Sequence, residues 1–308
     1  MSPRRAALGA LAVAATAHVF AQAPPRPPTF GVGVEVVTLT VSVVDPRSRY
    51  VTDLKERQFA VFEDGVRQEL SLFTQENLPI SLSIMIDTSA SMTEKLGVAQ
   101  AAAVRFTKTL REQDAASVMQ FNNKATVLQE FTAELARLDA AIKKTEASGS
   151  TSLHNALYVA LKDLGKQKQA GELRRRAIVL LSDGEDTSSL VSDEQVLQLA
   201  RETEIAIYAI SLRPDRARDR MRLNFSQAAH VLTALAQESG GQVYFPNSLS
   251  ELDTVYDRIA EELRTQYNLG YVSINKRRDG KWRRIVVRVP EREGITIRHK
   301  LGYYAPRG

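Results

Sequence analysis

The chain has 308 residues, 44% of them hydrophobic and 25% charged, with a formal net charge of +5 and no cysteine. That length leaves room for one large α/β domain of ~200 residues and a smaller module. The absence of Cys excludes disulfides, thiolate zinc sites and a lipoprotein anchor, and four scattered His residues give zinc or copper chemistry little support.

Arg4 and Arg5 precede an apolar stretch from Ala6 to Ala21. This reads as the charged and hydrophobic regions of a signal peptide over residues 1–21, too short for a membrane span. Cleavage is expected after Ala21, because a cut after Ala23 would set Pro24 beside the scissile bond; an uncleaved N-terminal anchor is the alternative. Losing Arg4 and Arg5 lowers the formal charge from +5 to +3. The mature protein is therefore expected to be exported, periplasmic or extracellular, with no membrane span left. Pro24-Pro25 and Pro27-Pro28 make residues 22–32 an extended linker.

From residue 33 the pattern alternates, with Val34, Val36, Leu39, Val41 and Val43 among polar residues. Asp45-Pro46-Arg47-Ser48 reads as a turn, and Val61-Phe62-Glu63 runs into an Asp64-Gly65 hairpin turn. No long helical pattern occurs before residue 78, so residues 33–77 form the first part of a β-module.

Residues 78–266 alternate strands with helices. Apolar runs at 80–86, 117–121, 177–181, 205–210 and 243–245 read as strands, and 127–131 as an antiparallel edge strand. Between them, Leu96, Ala99, Ala103, Phe106 and Leu110 recur at helical spacing. So do Leu153, Leu157 and Leu161; Val196, Leu199 and Ala200; Val231, Leu235 and Ala236; and Leu252, Val255, Ile259 and Leu263. This alternation predicts an α/β fold: a Rossmann-like, doubly wound, mostly parallel sheet covered on both faces. Residues 267–308 return to strands at 267–274, 282–289 and 295–300, with turns at Arg278-Asp279-Gly280 and Glu293-Gly294. Having no helices of their own, they are expected to join residues 33–77 in one small β-sandwich, with the α/β domain inserted in it.

Three basic clusters stand out: Arg174-Arg175-Arg176, the run from Arg213 to Arg222, and Lys276-Arg277-Arg278 with Lys281, Arg283 and Arg284. They read as solvated faces, with a polyanion or anionic-lipid contact as the sharper alternative. No aromatic stacking pattern accompanies them, so nucleic acid is not an expected partner.

The most informative segment is Asp87-Thr88-Ser89-Ala90-Ser91, where the buried run ending at Ile86 hands over to a helix. Open α/β sheets bind their ligands at such strand ends. Gly149-Ser150-Thr151 opens a helix in the same way, and Asp183-Gly184-Glu185-Asp186 follows the strand pattern 177–181. Singly, each Asp or Ser also fits a helix N-cap, and Glu185 and Asp186 also suit capping the helix near Ser192-Asp193. Together, three loops with small oxygen donors at one sheet edge point to a hard divalent cation.

These motifs, D-x-S-x-S, G-x-T and a strand ending in S/T-D-G, resemble the metal-ion-dependent adhesion site (MIDAS) of von Willebrand factor A (VWA) domains. The resemblance implies Asp87, Ser89, Ser91, Thr151 and Asp183 as metal ligands. Ala90 stands where related bacterial sequences often carry Gly, at a position that contributes backbone only. The flanks, Phe59-Ala60-Val61-Phe62-Glu63-Asp64-Gly65 and Gly302-Tyr303-Tyr304-Ala305, resemble an Acidobacteria-type secreted VWA subfamily. Mg2+ suits such a set, with Mn2+ or Ca2+ as alternatives: few protein ligands suffice, because Mg2+ keeps several waters. Two carboxylates and three hydroxyls leave the ion electrophilic, ready for a carboxylate from a protein partner.

Catalysis is not expected. Ser89 and Ser91 with His154 as base would need a nucleophile elbow, and no G-x-S-x-G occurs. The expected function is a secreted, metal-dependent protein-binding or adhesion module. The alternative is a metal-independent, polyanion- or envelope-binding structural protein. Oligomeric state is left open.

Overall fold

The computed structural model describes residues 36–76, 78–166, 174–183, 186–212 and 227–308. The signal peptide 1–21, the linker 22–32, residues 33–35, Gly184, Glu185 and the basic run 213–222 lie outside the described residues.

β5 (Ile80–Asp87) is buried at every position, as a central parallel strand must be when both faces are covered. It lies in a six-stranded sheet with β6 (Ala115–Phe121), β7 (Ala125–Thr132), β8 (Arg175–Ser182), β9 (Ala206–Ser211) and β10 (Gln242–Tyr244), in the order β10-β9-β8-β5-β6-β7. All pairings are parallel except the edge pair of β6 with β7. Side chains alternate between two cores. Leu82, Ile84 and Ile86 face α1 (Leu96–Thr107), α2 (Leu135–Lys143) and α6 (Leu252–Thr265). Met85, Ile178 and Leu180 face α3 (Leu153–Lys166), α4 (Asp193–Thr203) and α5 (Gln227–Ser239). Each fully buried aliphatic side chain contributes about 1.5–3 kcal/mol. The doubly wound, mostly parallel sheet expected from the alternating pattern is therefore present. The helix α2 had no counterpart in the expectations: it has only nine residues, and its buried set is Leu138, Ala141 and Ile142.

Two antiparallel four-stranded sheets accompany it. One runs β13 (Thr296–Arg298), β1 (Val36–Val44), β11 (Tyr267–Val272), β4 (Leu70–Thr74). The other runs β14 (Gly302–Tyr304), β12 (Trp282–Arg288), β2 (Ala60–Glu63), β3 (Val66–Gln68). Each draws strands from both ends of the chain. The two share one core of Leu39, Val41, Phe59, Val61, Tyr267, Leu269, Tyr271, Ile285 and Val287. The hairpin between β2 and β3 turns on Asp64 and Gly65 at φ 47° and 84°, the positive φ at both central residues that a type I′ turn needs.

The basic segment 174–176 corrects its reading as a solvated face. Arg175 is 5% exposed and donates to the carbonyls of Leu263 (2.5 Å) and Gln266 (2.9 Å). Arg174 donates to the carbonyl of Gln113 and the Ser81 hydroxyl, and Arg176 to the carbonyl of Thr203. Arg283, also 5% exposed, pairs with Asp279 at 2.8 Å. Arg175 and Arg176 are directed inward because the last carbonyls of α6 and α4 have no intrahelical partner and take these guanidinium donors. Burial pushes the Arg175 guanidinium down to about 10.

Candidate metal centre

Strand order places the site. β5 leads through α1 to β6 on one side, while β8 pairs with β5 on the other, so the sheet's direction of winding reverses between β5 and β8. Loops diverge there and leave a crevice at the carboxyl ends of the strands. Asp87 ends β5, and Asp183 follows β8.

The three loops are tied together by backbone bonds. Ser148 N–H donates to Thr88 O (2.7 Å), and Ala90 N–H donates to Gly149 O (2.9 Å). Thr187 and Ser188 N–H both donate to Thr151 O (2.9 and 3.1 Å). Ala90 is exposed and enters only through its backbone, so a methyl group is accommodated there.

Side chains then form a continuous chain across the crevice. Asp87 Oδ1 accepts from Ser89 N–H (2.8 Å), and the Ser89 and Ser91 hydroxyls lie 3.0 Å apart. Ser91 Oγ donates to Asp183 Oδ1 (2.7 Å), whose other oxygen pairs with Lys95 Nζ. Asp87, Ser89, Thr151 and Asp183 are buried, and Ser91 is exposed at the mouth. Burial holds the Asp87 carboxyl above its ordinary range, against the lowering by its Ser182 and Ser89 hydrogen bonds; the nearby Asp183 charge adds to the rise. Two buried carboxylates thus share the crevice, an arrangement that a cation stabilises.

Thr151 sits in the same loop cluster, and no hydrogen bond from its hydroxyl occurs among the described residues. Among the described residues no group of three or more His, Cys, Asp or Glu is placed to hold a metal. The candidate donors are instead two carboxylates and three hydroxyls, all hard oxygens, a set whose chemistry fits Mg2+, Mn2+ or Ca2+. Lys95 on Asp183 shows that the crevice accepts positive charge.

Two supporting residues escaped sequence reading. Ser182 Oγ donates to Asp87 Oδ2 (2.5 Å) and orients that carboxylate; the S-D pair after β8 was its only signal. Lys95 belongs to none of the three motifs, and nothing local in the sequence marks it. Asp186 does not cap α4, whose cap is Ser192 with Gln195 in a capping box. It accepts instead from His154 N–H (3.3 Å) in the first turn of α3 and from Ser189 Oγ (2.6 Å). His154 Nδ1 lies 3.6 Å from Asp186, and no bond joins it to Ser89 or Ser91 among the described residues. Asn122 and Asn123 act as buttresses: Asn122 O accepts from Ser152 N–H, and Asn123 Oδ1 from Ser150 N–H, both at 2.7 Å. Glu130 is exposed on β7.

Gly149 is at φ 73°, and a Cβ there would lie 2.0 Å from Asn123 Oδ1. Gly149→Ala should cost about 1–2 kcal/mol of backbone strain and push Asn123 off Ser150, shifting Thr151. Calorimetry should show metal affinity falling with no ligand changed. Gly97→Ala, with nothing within 4 Å of its Cβ, is the control and should leave affinity intact.

Residues 82–185, which include all five candidate ligands, match the family model of the von Willebrand factor type A domain. Over these residues the chain is similar to VWA domains. Among solved structures, a von Willebrand factor type A protein from Catenulispora acidiphila is similar at 13% identity and TM-score 0.52, over 90% of this chain and 74% of that one. Proximal thread matrix protein 1 from the mussel byssus, with a zinc-occupied MIDAS motif, is similar at 16% identity and TM-score 0.50, over 64% and 48%. The PilB minor pilin of Streptococcus sanguinis is similar at 15% identity and TM-score 0.48, over 62% of this chain; the chain spans 63% of that pilin's length. At such identities the likeness is one of fold. No curated protein matches the chain. Among the described residues no helix is long and apolar enough to cross a membrane.

Proposed function

We propose that the protein is an exported protein-binding module in which Asp87, Ser89, Ser91, Thr151 and Asp183 hold a divalent cation, Mg2+ before Mn2+ or Ca2+, and a partner's carboxylate completes its shell. The observation that carries this reading is the joining of three oxygen-bearing loops at the switch point of the VWA sheet. When bound, the metal would supply a Lewis-acidic position for a carboxylate oxygen. The chain's own contribution is to fix the donors. Ser182 and Ser89 N–H orient Asp87, the Asn122-Asn123 turn sets the Thr151 loop, and Ser91 bridges to Asp183 at the exposed rim. Among the described residues His154 bonds neither Ser89 nor Ser91 and lies against Asp186 instead, so the one histidine base weighed for these serines is not placed to serve them. In this reading residues 78–266 are the VWA domain, residues 33–77 and 267–308 make one β-module, and residues 1–21 are removed on export. The polyanion-binding alternative loses support from the inward bonding of Arg174, Arg175, Arg176 and Arg283.

The test is calorimetry of the mature chain with Mg2+ alone. Binding should also raise the melting temperature, because a ligand at 100 times its Kd stabilises by about 2.7 kcal/mol. Absence of both heat and thermal shift would refute the metal reading.

A further inference from the structure

Lys95 stands at the N-cap of α1, directly before Leu96. A cation is disfavoured at a helix N-terminus, where the macrodipole is positive. Its ammonium nevertheless reaches into the crevice and pairs with Asp183, whose side chain is 2% exposed against 30% for Lys95. With Ser91 on Oδ1 and Lys95 on Oδ2, both oxygens of this carboxylate are engaged. Asp183 is also the charge that faces Asp87 across the crevice.

We infer that Lys95 is a built-in competitor for the divalent cation: a tethered ammonium that neutralises Asp183 in the metal-free protein and is displaced when the ion enters. This rests on the metal reading above and deepens it. Two buried carboxylates without a counterion would repel each other and strain the loops that carry them. A lysine on a flexible, partly exposed stem can relieve that repulsion and can also leave, which a buried arginine held at several points cannot. The consequence is a site kept in shape without metal, at the expense of metal affinity. Metal entry becomes an exchange of one cation for another, and the displaced ammonium is freed at the rim where a partner's carboxylate would arrive.

The test is titration of Mg2+ and Mn2+ alone into wild type, Lys95→Met and Lys95→Arg, with melting temperatures in EDTA and in saturating Mg2+. Lys95→Met keeps the stem and removes the charge, so its affinity should rise by roughly tenfold or more. In EDTA it should melt below wild type, and saturating Mg2+ should close the gap. Lys95→Arg retains a cation and should bind no tighter than wild type. If Lys95→Met does not fold in EDTA, purification in Mg2+ followed by competition with a chelator of known affinity reads the same quantity. Metal bound equally, or more weakly, by Lys95→Met would overturn the competitor role while leaving the metal site standing. A folded wild type and a folded Lys95→Met that both bind neither ion would overturn the metal reading and this inference together. Binding by Lys95→Met alone would support both.

Discussion

Replacing Asp87 by Asn should lower Mg2+ affinity by on the order of 100-fold, by removing one of two charges beside a divalent ion, while making the metal-free protein more stable at neutral pH. Both effects follow from one environment. Asp87 is fully buried at the end of β5, with Ser182 Oγ and Ser89 N–H on its oxygens and the Asp183 charge nearby. Burial raises its folded-state pKa above the unfolded value. The metal-free fold therefore holds this proton more tightly than the unfolded chain does. The stability this confers is complete below the ordinary carboxylate range and is lost as pH rises through the raised folded value. Asn has the same shape, still accepts from Ser89 N–H, and carries no charge at any pH. The melting temperature of Asp87→Asn in EDTA should exceed that of wild type, by about 2–4 °C for each ~1 kcal/mol relieved, and the difference should widen from acid pH to neutrality. In saturating Mg2+ the order should reverse. Thermal scans in EDTA and Mg2+ across pH, with calorimetry for affinity, check every part. A variant that binds Mg2+ as wild type does would remove Asp87 from the ligand set.

The second large effect is expected far from the metal centre, at Glu262. This side chain on α6 is fully buried and ties the parallel sheet to the flanking strands. Its Oε1 accepts from Ser42 Oγ (2.7 Å) on β1 and Tyr208 OH (3.2 Å) on β9. Its Oε2 accepts from Tyr50 OH (3.0 Å) and pairs with Arg298 on β13. Gln266 completes the network through Ser42 and Tyr208. Glu262→Ala would strand a guanidinium and three hydroxyls, at the cost of about 3–5 kcal/mol expected for removing one partner of a buried pair. The melting temperature should fall by about 10 °C, and residues of β1 and β13 should lose hydrogen-exchange protection first. Glu262→Gln keeps an acceptor and should fall by less. A loss under about 1 kcal/mol in the alanine variant would mean that this network contributes little to holding the strands against α6.

Much of the fold is legible in the chain read alone, where the signal is local. The apolar runs of β5 and β8 mark strands covered on both faces, and the 3.6-residue stripes of α1, α3, α4, α5 and α6 record which side of each helix meets the core; neither needs knowledge of partners. The Asp64-Gly65 turn is equally local, since its φ values depend on those two residues. So are Asp87, Ser89 and Ser91, whose spacing on one strand end sets their neighbourhood. Other features depend on contacts between segments far apart in sequence. α2 is too short for its three buried residues to make a stripe, and it shows only once β6 and β7 offer a face to cover. Strand order came from register: Leu39 of β1 lies opposite Leu269 of β11, a pairing no local pattern encodes. Charge was the least legible property. Lys95, Arg175 and Glu262 each look like a solvated residue in sequence, because desolvation and hydrogen-bonding partners are properties of place. Lys95 meets Asp183, Arg175 meets Leu263 and Gln266, and Glu262 meets Ser42 and Arg298 only after the chain has closed long loops. A charged side chain is stable in such a place only when those distant groups arrive together.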